Sequence, residues 1–175
     1  MGEKFITYTK HGVAESTLLK STKVGHQYNL VSDVDIDNGS VAVIGDYVKS
    51  DLFEAAIPAK EDKIVLILTA PKIYAEYTKK MQEESNFFNE AGETMRAYEI
   101  QDTDRFTLSK EAFDADALPA VGQFVTVNET DYKLTTAGTT LPTGFGFIGK
   151  IYAVAANGNY RIIVKRNMAV EAAEI

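Results

Sequence analysis

The sequence predicts an α+β fold that is mostly antiparallel β, barrel- or sandwich-like, with one short helix near residues 71–86. Two observations predict this class. Short apolar or alternating runs recur along the chain, and turns rich in Gly and Asn separate them, a pattern typical of antiparallel strands and not of βαβ units. A single segment has its apolar residues at helical spacing.

The first strands are predicted between residues 28 and 57. Apolar and acidic residues alternate over 28–37, so the acidic ones are expected on an outer face. The apolar side carries Leu30, Val34 and Ile36, and the acidic side carries Asp33, Asp35 and Asp37. The following Asn38-Gly39 suits a type I′ turn and predicts a hairpin. Another strand is expected over 47–57, ending before Pro58.

The middle of the chain holds a buried strand and the helix. Residues 64–68 form the longest continuous apolar run, which predicts a strand buried on both faces. Pro71 suits the first turn of a helix because its missing N–H needs no partner there. Ile73, Tyr77 and Met81 then recur every four residues, and the pattern fades after residue 86.

The second half reads as strands throughout. They are expected within 94–108, around a turn at 102–104, and then over 121–127, 132–134, 145–154 and 160–165. Asn157-Gly158-Asn159 predicts a hairpin turn between the last two strands.

Length and composition bound the organisation of the chain. A length of 175 residues suits about one domain, since a domain has roughly 100–200 residues. A single β-rich domain is predicted over residues 29–166, or two lobes divided by the helix. Residues 1–28, polar with scattered apolar groups, are interpreted as an N-terminal arm or edge strand, and residues 167–175 as a tail.

The net charge, the lack of Cys and the short apolar runs argue against several classes of function. With 18 basic and 25 acidic residues the net charge is −7, so nucleic acid is not expected as a partner unless the few basic residues cluster on one face. The absence of Cys excludes disulfides and a thiolate nucleophile. No apolar run is long enough to span a bilayer or to serve as a secretory leader, so no membrane association is expected.

Two motifs imitate ligand sites. Gly144-x-Gly146-x-x-Gly149 matches the dinucleotide fingerprint, but a Thr/Pro loop precedes it and a strand pattern follows, so it predicts a glycine bend or bulge and no cofactor. The run Asp33, Asp35, Asp37 resembles a calcium loop, yet Asn38 and Ile44 stand where Gly and Glu are needed. The run predicts a solvated strand face, with weak cation binding left open.

No catalytic or metal-binding residues are predicted. His11 and His26 have no paired spacing and are expected at a surface or an interface. A hydrolase that uses two of the many carboxylates stays an alternative, which requires one of the two to have a raised pKa. Phe5, Ile6 and Tyr8, apolar residues in a polar segment, are the predicted contacts with a protein partner, and a disordered chain end is the alternative interpretation of this segment.

A series of short segments between about residues 30 and 165 resembles structural proteins of tailed bacteriophages, especially capsid decoration (cement) proteins. The segments that carry the resemblance are residues 35–41 with Gly45, 53–56, 64–68, 70–74, 89–98, 121–127, Lys133-Leu134 and 149–151. The resemblance implies a non-enzymatic virion protein, made in the host cytoplasm, that binds the outer capsid surface. It also implies contact with the major capsid protein and self-association into a homo-oligomer. The alternative is a carbohydrate- or receptor-binding module of a phage tail or baseplate.

Overall fold

The computed structural model describes residues 9–71 and 83–171, which form two packed β-structures. The strands are β1 (Ala14–Glu15), β2 (Gln27–Val31), β3 (Val41–Lys49), β4 (Leu52–Ala56), β5 (Val65–Ile67), β6 (Met95–Glu99), β7 (Arg105–Leu108), β8 (Phe124–Val127), β9 (Leu134–Thr136), β10 (Phe147–Val154) and β11 (Tyr160–Asn167). Strands β2-β4-β3-β5-β6 close into a barrel, and β1-β7-β11-β10-β8-β9 form a six-stranded sheet curled into a half-barrel. The predicted mostly antiparallel β class is confirmed.

Helical structure is sparse in the described residues. The α-helix α1 spans Ser21–Val24, and two 3₁₀ turns span Glu84–Asn86 and Lys110–Ala112. Most of the helix predicted near 71–86 lies outside the described residues.

The hairpin predicted at Asn38-Gly39 is wrong, because the strands before and after this turn do not pair with each other. Strand β2 pairs in parallel with β4 and antiparallel with β6, not with β3. It ends at Val31, and Val34 is exposed, whereas Ile36 turns inward and pairs with Asn89. The prediction failed because Asn38 is buried and does not occupy a solvated turn. Its amide donates to the Thr69 carbonyl and accepts the Thr69 N–H, both at 2.9 Å.

The strand predicted over residues 47–57 is divided in two. The chain reverses at Ser50, whose φ is +50°, so that β3 and β4 form an antiparallel hairpin. A left-handed conformation at a non-glycine residue is uncommon, which is why the pattern of apolar residues gave no sign of this turn.

In the half-barrel, the predicted β10–β11 hairpin and the glycine bulge are found. Strands β10 and β11 form the predicted hairpin, and Gly158 has φ +86° at its tip. The register shifts between Ile148 and Gly149, so the glycine-permitted bulge is confirmed. Strands β8 and β9 form a second hairpin.

Strand β5 explains how the two β-structures pack. All three of its side chains are buried, as the apolar run predicted. Val65 and Ile67 pack into the barrel interior with Leu30, whereas Leu66 faces the other way and joins a core shared with the half-barrel residues Phe147 and Ile151. Successive strand residues point to opposite faces, so a strand between two cores must be apolar throughout.

Described residues on both sides of the predicted domain, residues 29–166, pack with the β-structures, and the N-terminal ones include an edge strand, one of the two interpretations given for residues 1–28. Strand β1 pairs with β7, and Leu19 is part of the shared core, so residues 9–28 belong to the folded unit. At the other end, β11 continues to Asn167, which is buried.

Asn167 connects the half-barrel to the barrel. Its side-chain oxygen accepts the Ile64 N–H at 2.9 Å, and its amide nitrogen donates to the carbonyls of Ile64 and Ile100, both at 2.8 Å. Ile64 directly precedes β5 and Ile100 directly follows β6. One side chain therefore satisfies three buried backbone groups at the ends of two barrel strands.

We expect Asn167→Ala to lower the free energy of unfolding by about 3 kcal/mol or more, because three buried backbone groups lose this partner and each such group costs about 1–3 kcal/mol. Urea unfolding of the purified chain measures this. The matched control is Asn157→Ala in the exposed β10–β11 turn, which should cost less than about 1 kcal/mol. Equal losses in the two variants would contradict the role given to Asn167.

Gly39 lies where the barrel meets the half-barrel. Its φ is +86°, and a Cβ atom there would lie 2.8 Å from the Cβ of Ala112 and 2.9 Å from a methyl group of Leu108. Gly158 has the same φ but open space around it. The two glycines therefore separate the cost of the conformation from the cost of close packing.

We expect Gly158→Ala to cost about 1–2 kcal/mol, the penalty of the left-handed conformation alone. Gly39→Ala should cost about 2–5 kcal/mol, since forced overlap in a packed interior adds about 1–3 kcal/mol. Chemical denaturation of both variants gives the comparison. If Gly39→Ala lowered the free energy of unfolding no more than Gly158→Ala does, the close packing of Ala112 and Leu108 against Gly39 would be contradicted.

Candidate functional site

A concave site of about 450 Å³ lies between the N-terminal segment, the end of the β2–β3 connection and the turn before β9. Its polar groups converge on Asp37. The Asp37 carboxylate binds His11 Nδ1 at 2.7 Å, accepts the Gly12 N–H at 3.2 Å and lies 3.5 Å from Lys133 Nζ. Three separate segments of the chain therefore meet at one carboxylate.

The partners of Asp37 are themselves held. The His11 ring stacks on Phe88 with 4.7 Å between centroids, and its backbone N–H donates to the Ser85 carbonyl. Lys133 Nζ donates to the Glu111 carbonyl at 2.8 Å. A histidine–carboxylate pair beside a lysine could move a proton. Here the same groups fasten the N-terminal segment and the β8–β9 hairpin to the barrel.

The three acidic residues predicted on one strand face are dispersed. Asp37 points into the concave site, the Asp35 carboxylate accepts the Ala91 N–H at 2.9 Å, and Asp33 is exposed. Within residues 9–71 and 83–171, no three His, Asp or Glu side chains are grouped so that they could hold a metal ion. The weak cation site left open by the sequence is therefore not assembled by these aspartates.

A second titratable cluster lies on the barrel. Glu99 binds Nζ of Lys63 and, at 2.8 Å, Nδ1 of His26, which is 51% exposed. The hydrogen bond from Lys63 lowers the pKa of Glu99 below 4.5; burial opposes this, and the charges of Lys63 and His26 add to it. The cluster holds Glu99 as a carboxylate.

The glycine fingerprint has a packing explanation. The Gly146 N–H donates to the Lys60 carbonyl at 2.8 Å, and a side chain at Gly146 would overlap the carbonyl oxygens of Glu61 and Asp62. Strand β10 follows directly, where a phosphate-binding motif needs a helix. The close approach of two backbones accounts for this glycine.

The predicted partner contacts Phe5, Ile6 and Tyr8 lie outside the described residues.

A cationic groove of about 680 Å³, which the sequence did not predict, lies between the loop at residues 141–145 and strands β10 and β11. The groove is lined by the basic residues Lys150, Lys165 and Arg166 and by the apolar residues Phe124, Leu141 and Phe145, among others. Its signal in the sequence is weak, since Lys165-Arg166 reads only as the end of a strand. Strand pairing brings Arg166 opposite Ile148 and Lys150 opposite Phe124.

The basic residues of the cationic groove have no acidic partner among the described residues. Within the described part of the chain, Lys150, Lys165 and Arg166 take part in no ion pair. Lys150 Nζ lies 5.2 Å from the centroid of the Phe124 ring, and Lys60 Nζ lies 4.9 Å from that of Phe145. Cation–π contact positions these ammonium groups without neutralising them, so the groove can bind anionic groups.

We expect Glu99→Gln to destabilise the protein at pH 7. The pKa of Glu99 is lowered in the folded state, so its carboxylate stabilises the fold above pH 4.5, and this contribution is lost as the pH falls through the lowered pKa. The difference between the native chain and the variant should therefore shrink below pH 4.5, as measured by urea unfolding across pH.

Lys63→Met supplies the control for this prediction. It removes the main cause of the lowered pKa, so Glu99→Gln should cost less in that background. A cost that stays constant with pH and background would show that Glu99 acts by packing alone.

No described helix has the length and apolar character needed to cross a membrane. No known protein family, curated protein or solved structure matches the chain.

Proposed function

We propose that this chain is a non-enzymatic virion structural protein that binds the outer surface of a capsid and stabilises it. The observation that carries the proposal is the cationic groove, a localised binding surface on a chain whose net charge is −7. The resemblance of the sequence to decoration proteins supplies the kind of target. The major capsid protein is the proposed partner, with self-association of this chain on the particle.

The titratable clusters favour a binding role over hydrolysis. A two-carboxylate hydrolase needs one carboxyl group with a raised pKa to act as the acid. Glu99, beside a small cavity on the barrel, has the opposite shift because Lys63 binds it. Asp37, in the larger concave site, ties chain segments together through His11 and Gly12.

An acidic chain suits the outer face of a shell better than the inner face, because packaged nucleic acid repels carboxylates. Binding to assembled capsid and not to free subunits would stabilise the assembly by mass action. Many copies on one particle would add their contributions through multivalency.

A carbohydrate-binding module is the second candidate. It is favoured by the concave site around Asp37, which also presents the ring of Tyr132 and the side chains of Asp35 and Asp131. Aromatic rings flanked by carboxylates suit sugar hydroxyl groups. However, the Tyr132 hydroxyl already donates to the Ala55 carbonyl at 3.0 Å, which leaves less of this residue for a sugar.

Virus particles purified by density gradient from the source culture test the proposal. Quantitative mass spectrometry should find this chain in a constant ratio to the major capsid protein, and particles lacking it should lose their contents at a lower temperature. The chain's absence from purified particles would overturn the proposal. Binding to a glycan array, abolished by Tyr132→Ala and by Asp131→Asn, would favour the second candidate.

A further inference from the structure

We propose that the cationic groove binds an extended acidic segment of the partner protein. The proposal deepens the proposed function, since it names the chemistry of the capsid surface to which this chain docks. It rests on three features of the groove. Its basic side chains form no ion pair with described residues, its floor is apolar, and lysine ammonium groups lie over its aromatic rings.

The charge of the groove is not neutralised by the described residues. Lys165 and Arg166 are exposed, and neither takes part in an ion pair among the residues described. The Asp62 carboxylate, in the adjoining turn, is occupied by the Ala59 N–H at 2.8 Å. The described residues that line the groove include three basic ones and no acidic one, namely Lys150, Lys165 and Arg166. The charge that complements this surface is negative.

The floor of the groove favours a segment that also carries apolar side chains. Phe124 and Ile148 are nearly buried beneath it, and Leu141 at its rim is 57% exposed. A few residues of an extended chain fit a space of about 680 Å³. Acidic side chains would pair with Lys165 and Arg166, while an apolar one between them would cover Leu141.

The aromatic rings favour a peptide over single-stranded nucleic acid. Nucleic-acid grooves offer exposed rings on which bases stack. Here Phe124 is only 8% exposed, and the ammonium groups of Lys150 and Lys60 lie over Phe124 and Phe145. The net charge of −7 also opposes a polyanion that extends beyond the groove.

The binding test uses the full chain and two fluorescein-labelled peptides of equal length, one of repeated Glu-Leu-Gly and one of repeated Gln-Leu-Gly. In 50 mM salt, fluorescence anisotropy should show at least tenfold tighter binding of the Glu peptide. Lys165→Glu with Arg166→Glu should weaken that binding at least tenfold, because two attractions become repulsions. Raising the salt to 500 mM should weaken it as well, since exposed charges are screened.

The matched control is Lys49→Glu with Lys110→Glu, which makes the same charge change at two exposed lysines outside the groove. It should bind the Glu peptide like the native chain, and both double variants should keep the native unfolding midpoint. Lys165→Gln with Arg166→Gln, which adds no negative charge, should give an intermediate loss. Equal binding of both peptides, or equal losses in both double reversals, would overturn the proposal. Tighter binding of an oligothymidine of similar length would also overturn it, in favour of nucleic acid.

Particle incorporation separates this proposal from the proposed function. If the chain is a virion component but the Lys165→Glu, Arg166→Glu variant is incorporated normally, the groove is not the docking site and the proposed function stands. If the groove binds the Glu peptide but the chain is absent from particles, the virion role fails while the binding chemistry stands.

Discussion

The buried amide of Asn167 is the interaction on which the arrangement of the two β-structures depends. Most of the contact between them is apolar and therefore imposes no direction. The Asn167 amide, by contrast, is directional, because its one acceptor and two donor hydrogens are paired with the backbone at Ile64 and Ile100. A sliding of the half-barrel over the barrel would leave these three backbone groups without partners. The hydrogen bonds of Asn167, inside an otherwise apolar contact, thus help to fix the position of the half-barrel on the barrel and of the surface sites that each part carries.

The same joint accounts for the placement of both concave sites. The site around Asp37 lies where the N-terminal segment and the β8–β9 hairpin reach the barrel. The cationic groove lies next to the contact between residues 59–62 of the barrel and Gly146 of the half-barrel, where Gly146 accepts the Met168 N–H and the Glu61 carbonyl accepts that of Val170. Each site is bordered by segments that cross from one β-structure to the other, so its shape depends on the joint.

The sequence predicted the fold class and most elements of the second half, because those strands alternate clearly and end at Gly or Asn turns. It predicted the doubly buried strand β5 for the right physical reason. It failed at Asn38-Gly39, since a turn dipeptide does not reveal that its amide is buried against Thr69. The cationic groove could not be predicted from the sequence, because Lys150 and Lys165-Arg166 become neighbours only when β10 pairs with β11 and β8. The acidic run was recognised in the sequence, but its role was not predicted. Asp35 and Asp37 lie on no common strand face and instead bind different parts of the chain.

The uneven distribution of charge has a kinetic consequence. A basic hairpin on an acidic chain gives the molecule an electric dipole moment. Near a negatively charged surface such a dipole feels a torque that turns the hairpin forward before any atoms touch. A larger share of encounters then begins in the productive orientation, so the rate of capture can be high even when each contact is weak.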